Sequence, residues 1–234
     1  MHQDNTDAGQ EMRAYLTQLL AQRREQLNTG APLDDVFSRL LKSHFDDSIG
    51  FADERIITNM MGTLVGGIET TSAAIVQLHE QLFKRPKILK EPIDAAYSND
   101  DHLMYRYCWE ALRFNSINPF VVRQSRTDYR IAKGSLRAAT MKAGSTLLIS
   151  TRSAMRDGLK LPAPSSFAID RQQSVYMHLG YGMHTCLGDE ISRIQVPEIV
   201  RRILQIRGVR PAAEIDYAGG PFPERYPITY DTAA

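Results

Sequence analysis

Cysteine is nearly absent from this 234-residue chain, with Cys108 and Cys186 as its only two. Two thiols cannot build a disulfide framework, a cysteine-rich zinc site or an iron–sulfur cluster held by four thiolates, so any sulfur chemistry uses a thiolate singly. Charge of one sign is lacking as well. The 28 Lys and Arg residues against 27 Asp and Glu leave a formal +1, with no overall basic excess to hold a nucleic acid. Long hydrophobic runs are missing, because the longest uncharged apolar-rich stretch, Ile56 to Ile68, is too short to span a bilayer. The opening residues 1–7 have neither the basic nor the apolar region of a secretion signal, which gives a cytoplasmic reading. There is no glycine-rich nicotinamide or flavin fingerprint, no internal repeat and no low-complexity linker.

What remains is the composition of a packed protein, 43% hydrophobic and 24% charged, read here as one continuous unit. The first half reads as helix. Met12, Tyr15, Leu16, Leu19 and Leu20 recur at the three-and-four spacing of one helical face, and that helix is predicted to stop near Asn28-Thr29-Gly30. Asp34 is placed to cap a second, shorter helix striped by Val36, Phe37, Leu40 and Leu41, with residues 45–51 as its turn. From Asp53, another capping candidate, a helical pattern runs to about Lys84, where Arg85-Pro86 stops it, a length of about 48 Å. Its apolar residues Ile56, Ile57, Met60, Met61, Leu64, Val65 and Ile68 are too many for one stripe, so its middle is predicted to be enclosed and to cross the core. A further helix is predicted from about His102 to Phe114. Pro119, Gly134 and Gly144 then punctuate short β-favouring runs such as residues 146–150. Residues 159–170, with Pro162 and Pro164, read as irregular, and a last helix runs from about Leu187 to Ile206, kinked at Pro197. The fold class is mainly α with small β-sheets.

The densest local pattern is Leu179-Gly180-Tyr181-Gly182-Met183-His184-Thr185-Cys186-Leu187-Gly188. Its glycines permit backbone turns and the close approach of a flat ligand. Cys186 stands directly before the last helix, where amides and the positive dipole end favour a thiolate. A lone cysteine in such a turn is ordinarily a small buried thiol; the ordered Gly, Gly, His, Cys, Gly series points instead to a sulfur that holds a metal. Glu110 and Arg113, three residues apart, share one helical face and can pair, although as a solvated couple they would contribute little. Gly66-Gly67-Ile68-Glu69-Thr70-Thr71 interrupts the long helix. Two glycines loosen it, and the Thr70 hydroxyl is placed to take the Gly66 carbonyl, opening a turn for a small ligand. Glu69 beside Thr70 supplies two groups able to pass protons through ordered water; the plainer reading is a buried helix with Glu69 at its edge.

In this order and separation the segments resemble the cytochrome P450 family. The loop is similar to the family's Phe-Gly-x-Gly-x-His/Arg-x-Cys-x-Gly, with Leu179 in place of the phenylalanine. Glu110 and Arg113 resemble its Glu-x-x-Arg motif, and residues 66–71 resemble its oxygen-activation groove. Residues 123–128 resemble the stretch that carries a propionate-binding arginine, and residues 153–157 and 167–171 resemble the run into its meander. The resemblance implies that residues 1–234 form the C-terminal part of that fold, with a long central helix and a cysteine-ligand loop, the N-terminal part being missing. It implies haem b (iron protoporphyrin IX) as cofactor, Cys186 as the proximal iron ligand, and His184 and Arg123 at haem propionates, with the turns of Gly180 and Gly182 around the sulfur. It implies Glu69 and Thr70 as proton guides on the opposite side. Leu64, Val65 and Gly66, with Asn118, Pro119, Phe120 and Val121, would line the substrate pocket.

The implied activity is a monooxygenase that inserts one atom of dioxygen into a small organic substrate, with electrons from a ferredoxin or flavoprotein reductase. The missing wall of the chamber would leave apolar surface for a completing subunit or for self-association. Two alternatives stay open: a haem-dependent hydroperoxide isomerase or peroxygenase, which needs no reductase, and a non-catalytic haem-binding interaction module. The segment 130–142, longer than expected between the family's short strands, and the tail 220–227 resemble members fused to fatty-acid haem peroxidases.

Overall fold

The computed structural model describes residues 2–30 and 33–232. The predicted first helix is α1 (His2–Asn28), which buries Leu16 and Leu20 while Met12 and Tyr15, at the edge of its stripe, stay exposed. α2 (Val36–Lys42) is capped by Asp35 rather than by Asp34: the Asp35 carboxylate accepts the Ser38 amide at 2.8 Å from an extended backbone. A cap accepts an amide two or three residues further on, and Asp34, four residues before Ser38, takes Arg39 instead at 2.8 and 3.0 Å. Arg23 of α1 reaches Asp35 as well and so ties the two helices together. After α2 the chain passes through a short 3-10 segment, Asp47–Ile49.

α3 (Asp53–Phe83) is the long helix, with Asp53 as its first helical residue, opposite Arg24. Ile56 and Ile57 close with Leu16, Leu20 and Phe37 into a small core. The expectation of an enclosed middle fails: Val65 and Ile68 are each 65% exposed. Apolar residues all around a helix show that it can be buried, not that anything covers it. The chain divides into two compact units, residues 1–69 and 70–234, and the division falls inside α3.

In the second unit the end of α3 packs with α4 (Pro86–Ser98), α5 (Asp101–Phe114) and α7 (Asp189–Leu204). The core joins Ala74, Leu78 and Leu82 to Ala95, Ala96, Met104, Trp109, Val196, Val200 and Leu204, each large side chain stabilising by about 1.5–3 kcal/mol. α4 was not anticipated, because Pro86 reads as a stop. It is also a good start, since the first helical turn needs no amide from it. Asp100 caps α5, accepting the Leu103 amide at 2.9 Å. α7 continues as helix through the buried Pro197.

β1 (Val121–Gln124) and β4 (Thr146–Ile149) pair antiparallel with Val121 opposite Ile149, and between them lie β2 (Tyr129–Ile131) and β3 (Ala139–Met141). The Gly144 amide donates to Ser125 O at 2.8 Å, and the Ser125 amide to Ser145 O at 3.0 Å, continuing the outer ladder to the base of the inner hairpin. α6 (Thr151–Ala154) follows, then irregular chain with two 3-10 turns, Gln173–Val175 and Gly182–His184. β5 (Arg210–Pro211) and β6 (Ile228–Thr229) pair near the end. No helix among the described residues is long and apolar enough to cross a membrane.

Candidate functional site

Glu110 and Arg113 are not a solvated pair. Both are wholly buried on the inner face of α5, and their ion pair is bidentate, Arg113 Nε to Oε2 at 2.8 Å and Nη2 to Oε1 at 2.7 Å. Arg113 also donates to the carbonyls of Met155, Pro164 and Ser166 at 2.8–3.0 Å, so one guanidinium pins three points of the irregular segment. Glu110 in turn accepts the Ala168 amide at 2.9 Å, Arg171 Nε at 3.3 Å and the Tyr176 hydroxyl at 3.3 Å. Arg171 donates onward to Pro162, Ala163 and Ser166 carbonyls. This is a charge buried with its full complement of hydrogen bonds, which is the condition for burying one at all. Burial and the adjacent Glu110 carboxylate push the Tyr176 hydroxyl pKa up, keeping it a donor.

From Tyr176 the chain leads into the cysteine loop. Leu179 packs against the helical core, and its carbonyl accepts the Cys186 amide at 2.7 Å, closing the loop across its neck. Gly180 is required twice over: its φ is +84°, and a Cβ there would lie 2.6 Å from His184 O. Gly182, at φ +64°, opens the 3-10 turn that carries His184, held by the Thr185 amide and hydroxyl on its carbonyl at 3.0 and 2.9 Å. Cys186 is exposed, and the Gly188 amide points at its sulfur across 3.3 Å. Met183 and Leu187, on either side of it in sequence, are 97% and 95% exposed, and Ile191 and Ile194 continue an uncovered apolar line along α7. The other thiol, Cys108, is fully buried, and burial pushes its pKa up.

The remaining predicted positions fall on three elements. Arg123 lies in β1, its Nη1 donating to Val122 O at 2.8 Å. Asn118 O and Pro119 O accept from Thr151 Oγ1 at 3.1 Å and the Arg152 amide at 3.2 Å, which fixes the approach to β1; Phe120 is exposed and Val121 starts the ladder. On α3, Leu64 is half-buried against the small core, while Val65, Gly66 and Glu69 are exposed, all four within residues 1–69. Thr70, half-buried, begins the second unit.

Sequence reasoning missed His178. Its two ring nitrogens are buried without a partner, and its ring stands edge-on to Trp109 at 5.3 Å. Burial lowers its pKa to about 4. It lines a cavity of about 150 Å³ behind the loop, together with Gln173, Thr185 and the Asp189–Arg193 pair. His178 lies in a turn and the Trp109 contact comes from α5, far away in sequence, so no local pattern around His178 announces it.

A family model described as Cytochrome P450 matches residues 1–209. Among curated proteins, the mycinamicin IV hydroxylase/epoxidase of Micromonospora griseorubida is 25% identical over 218 residues, covering 92% of this chain and 51% of that protein. The steroid C26-monooxygenase of Mycolicibacterium smegmatis is 27% identical over 214 residues, covering 87% and 49%. The fold is similar to that of a cytochrome P450 from Chondromyces apiculatus, with a TM-score of 0.78 at 24% identity, covering 97% of this chain and 56% of that one. A mixed-function P450 in complex with mycinamicin V gives 0.80 at 23%, covering 98% and 57%. The chain thus spans about half the length of the curated relatives it matches. A match that runs from the first residue through the end of α7, on a mainly helical scaffold holding a glycine-framed cysteine and a buried Glu–Arg pair, places the chain in the cytochrome P450 family.

Proposed function

We propose that this chain supplies the haem-holding and proton-handling part of a monooxygenase, in which the Cys186 thiolate would hold the iron. The observation that carries the reading is the Cys186 sulfur, exposed and faced by the Gly188 amide at 3.3 Å in a turn whose geometry Gly180 dictates. Its surroundings suit a flat, largely apolar macrocycle, because Met183, three residues before the cysteine, and Leu187, directly after it, offer nearly complete apolar side chains. Haem held through this thiolate would supply the activation of dioxygen for insertion of one oxygen atom into an organic molecule.

The chain's own residues do the rest. The Gly188 N–H draws charge from the sulfur and orients it. His184, on its short turn, and Arg123, which now donates to Val122 O, would hold the propionate charge of a bound haem. Glu69 and Thr70, consecutive on α3, hold and pass protons at a carboxylate and a hydroxyl oxygen. Leu64, Val65 and Gly66 on α3, and separately Asn118–Val121 leading into β1, are the residues that would meet substrate. Glu110, Arg113 and Arg171 are positioning residues: through Tyr176 they fix the strand of chain from which the cysteine loop departs.

Two relatives named for hydroxylation, epoxidation or monooxygenation support oxygen insertion as the reaction class. The reading takes the substrate as a small organic molecule, the electron donor as a ferredoxin or flavoprotein, the rest of the fold as supplied by further polypeptide, and the location as cytoplasmic. It is tested by reconstituting the chain with haem and reading the ferrous–CO spectrum. A thiolate-type band is expected, lost in Cys186→Ser and kept in Cys108→Ala. The same band in Cys186→Ser overturns the assignment.

A further inference from the structure

The +1 of the whole chain hides a segregation of charge. Residues 125–145 carry Arg126, Arg130, Lys133, Arg137 and Lys142 against the single acid Asp128, a net +4, which leaves −3 for everything else. All five cations are exposed. Asp128 is taken up by Lys142 Nζ at 2.7 Å and the Ala143 amide at 2.9 Å, so among the described residues no carboxylate pairs with the other four.

These cations sit on the β2–β3 hairpin, whose tip is well built. Ala132 and Gly134 take φ of +50° and +79°, the Ser135 amide donates to Ala132 O at 3.1 Å, and the Ala138 amide donates to Ser135 O at 3.1 Å. Ser135 Oγ donates to Ala132 O at 2.9 Å and accepts the Arg137 amide at 3.1 Å. This folded tip displays Leu136 entirely to solvent between Lys133 and Arg137. The register sets Tyr129 and Ile131, opposite Met141 and Ala139, on one face of the ribbon, and the Lys133 ammonium lies 5.5 Å from the Tyr129 ring.

We propose that the β2–β3 hairpin anchors the protein at the surface of an anionic bilayer. Leu136 and Tyr129 enter the headgroup layer while Arg126, Arg130, Lys133 and Arg137 meet lipid phosphates. Cations around an exposed leucine and an aromatic ring are the chemistry that a membrane interface accepts. An acidic protein would satisfy the charge but needs roughly 800 Å² of shaped surface from each partner, and a ribbon of two three-residue strands offers little of that. A lipid surface requires no matching shape. The anchor is independent of Cys186 and its chemistry.

Flotation with vesicles of phosphatidylcholine, alone or with about one-third phosphatidylglycerol, tests it. Binding is expected only to the anionic vesicles and should weaken as salt rises to about 0.5 M. With each cation near such a surface worth roughly fivefold, Lys133→Glu/Arg137→Glu should weaken binding by about 25-fold or more. Leu136→Ser should weaken it by roughly tenfold. Lys87→Glu/Lys90→Glu on α4 makes the same change in net charge at two exposed lysines and should bind like the unaltered chain. The proposal is overturned by no binding, by equal binding to both vesicles, or by hairpin and α4 variants that bind alike. Binding indifferent to Leu136→Ser also overturns it, because nothing of the hairpin then enters the headgroup layer.

Discussion

Glu110→Gln removes one negative charge and leaves the side chain's shape almost untouched, so its cost measures what that charge does. In the native protein the carboxylate answers two guanidinium groups, Arg113 at 2.7 and 2.8 Å and Arg171 at 3.3 Å, and it is wholly buried. After substitution Arg113 stays inside, because the carbonyls of Met155, Pro164 and Ser166 still hold it, but it faces only dipoles. Removing one partner of a buried ion pair costs about 3–5 kcal/mol. Two cations lose the same anion here, which argues for the upper half of that range. Set against a total stability of about 5–15 kcal/mol, the variant should unfold at far lower urea or fail to fold at ambient temperature. Asp34→Asn is the control, since it breaks an equally well-formed bidentate contact with Arg39, but in full solvent, and should leave the midpoint nearly unchanged. Arg113→Met and the double variant complete a cycle, in which the double variant should lose less than the two single costs combined. If Glu110→Gln unfolds at the same urea concentration as Asp34→Asn, burial is not what gives this network its strength, and the reasoning fails.

Gly180→Ala should destabilise the cysteine loop by about 1–3 kcal/mol and speed labelling of the Cys186 thiol, because the new Cβ meets the His184 carbonyl. Gly182→Ala, with open space around its Cβ and only an unfavourable φ of +64°, should cost about 1–2 kcal/mol. Burial lowers His79 and His178 from 6.5 to about 4, so the unfolded chain takes up protons first; stability should be intact above pH 6.5 and fall as pH drops toward 4. The loss should reach about 3 kcal/mol per histidine in urea titrations, and glutamine at either position should remove about half of the slope. Asp35→Ala should cost about 1 kcal/mol or more, read as a lower melting temperature, because it frees the Ser38 amide and the Arg23 guanidinium together.

What could be read from the sequence follows how far apart the cooperating groups lie. The cysteine loop was legible because its constraints are local: Gly180 needs its own φ and clearance from His184, and the neck bond joins Leu179 to Cys186. Helices α1, α3, α5 and α7 show in their periodicity for the same reason. The second cap was misplaced because Asp34 and Asp35 are equivalent in composition and only backbone geometry separates them. The Glu110–Arg113 spacing reveals a pair, but not that carbonyls from residues 155, 164 and 166 would enclose it. Apolarity around α3 likewise could not say that Val65 and Ile68 stay uncovered.

Charge behaves in the opposite way, being fully visible in the sequence and lost by averaging. A sum over all 234 residues gives +1, whereas the window 125–145 gives +4. Screening confines the field of exposed charges to about 8–10 Å, so a partner meets the local window and never the total. A near-neutral chain is therefore no argument against binding to an anionic surface when its cations are gathered on one short ribbon. The quantity that bears on such partners is charge per surface element, which for β2–β3 needs only the strand register and the exposure of five side chains.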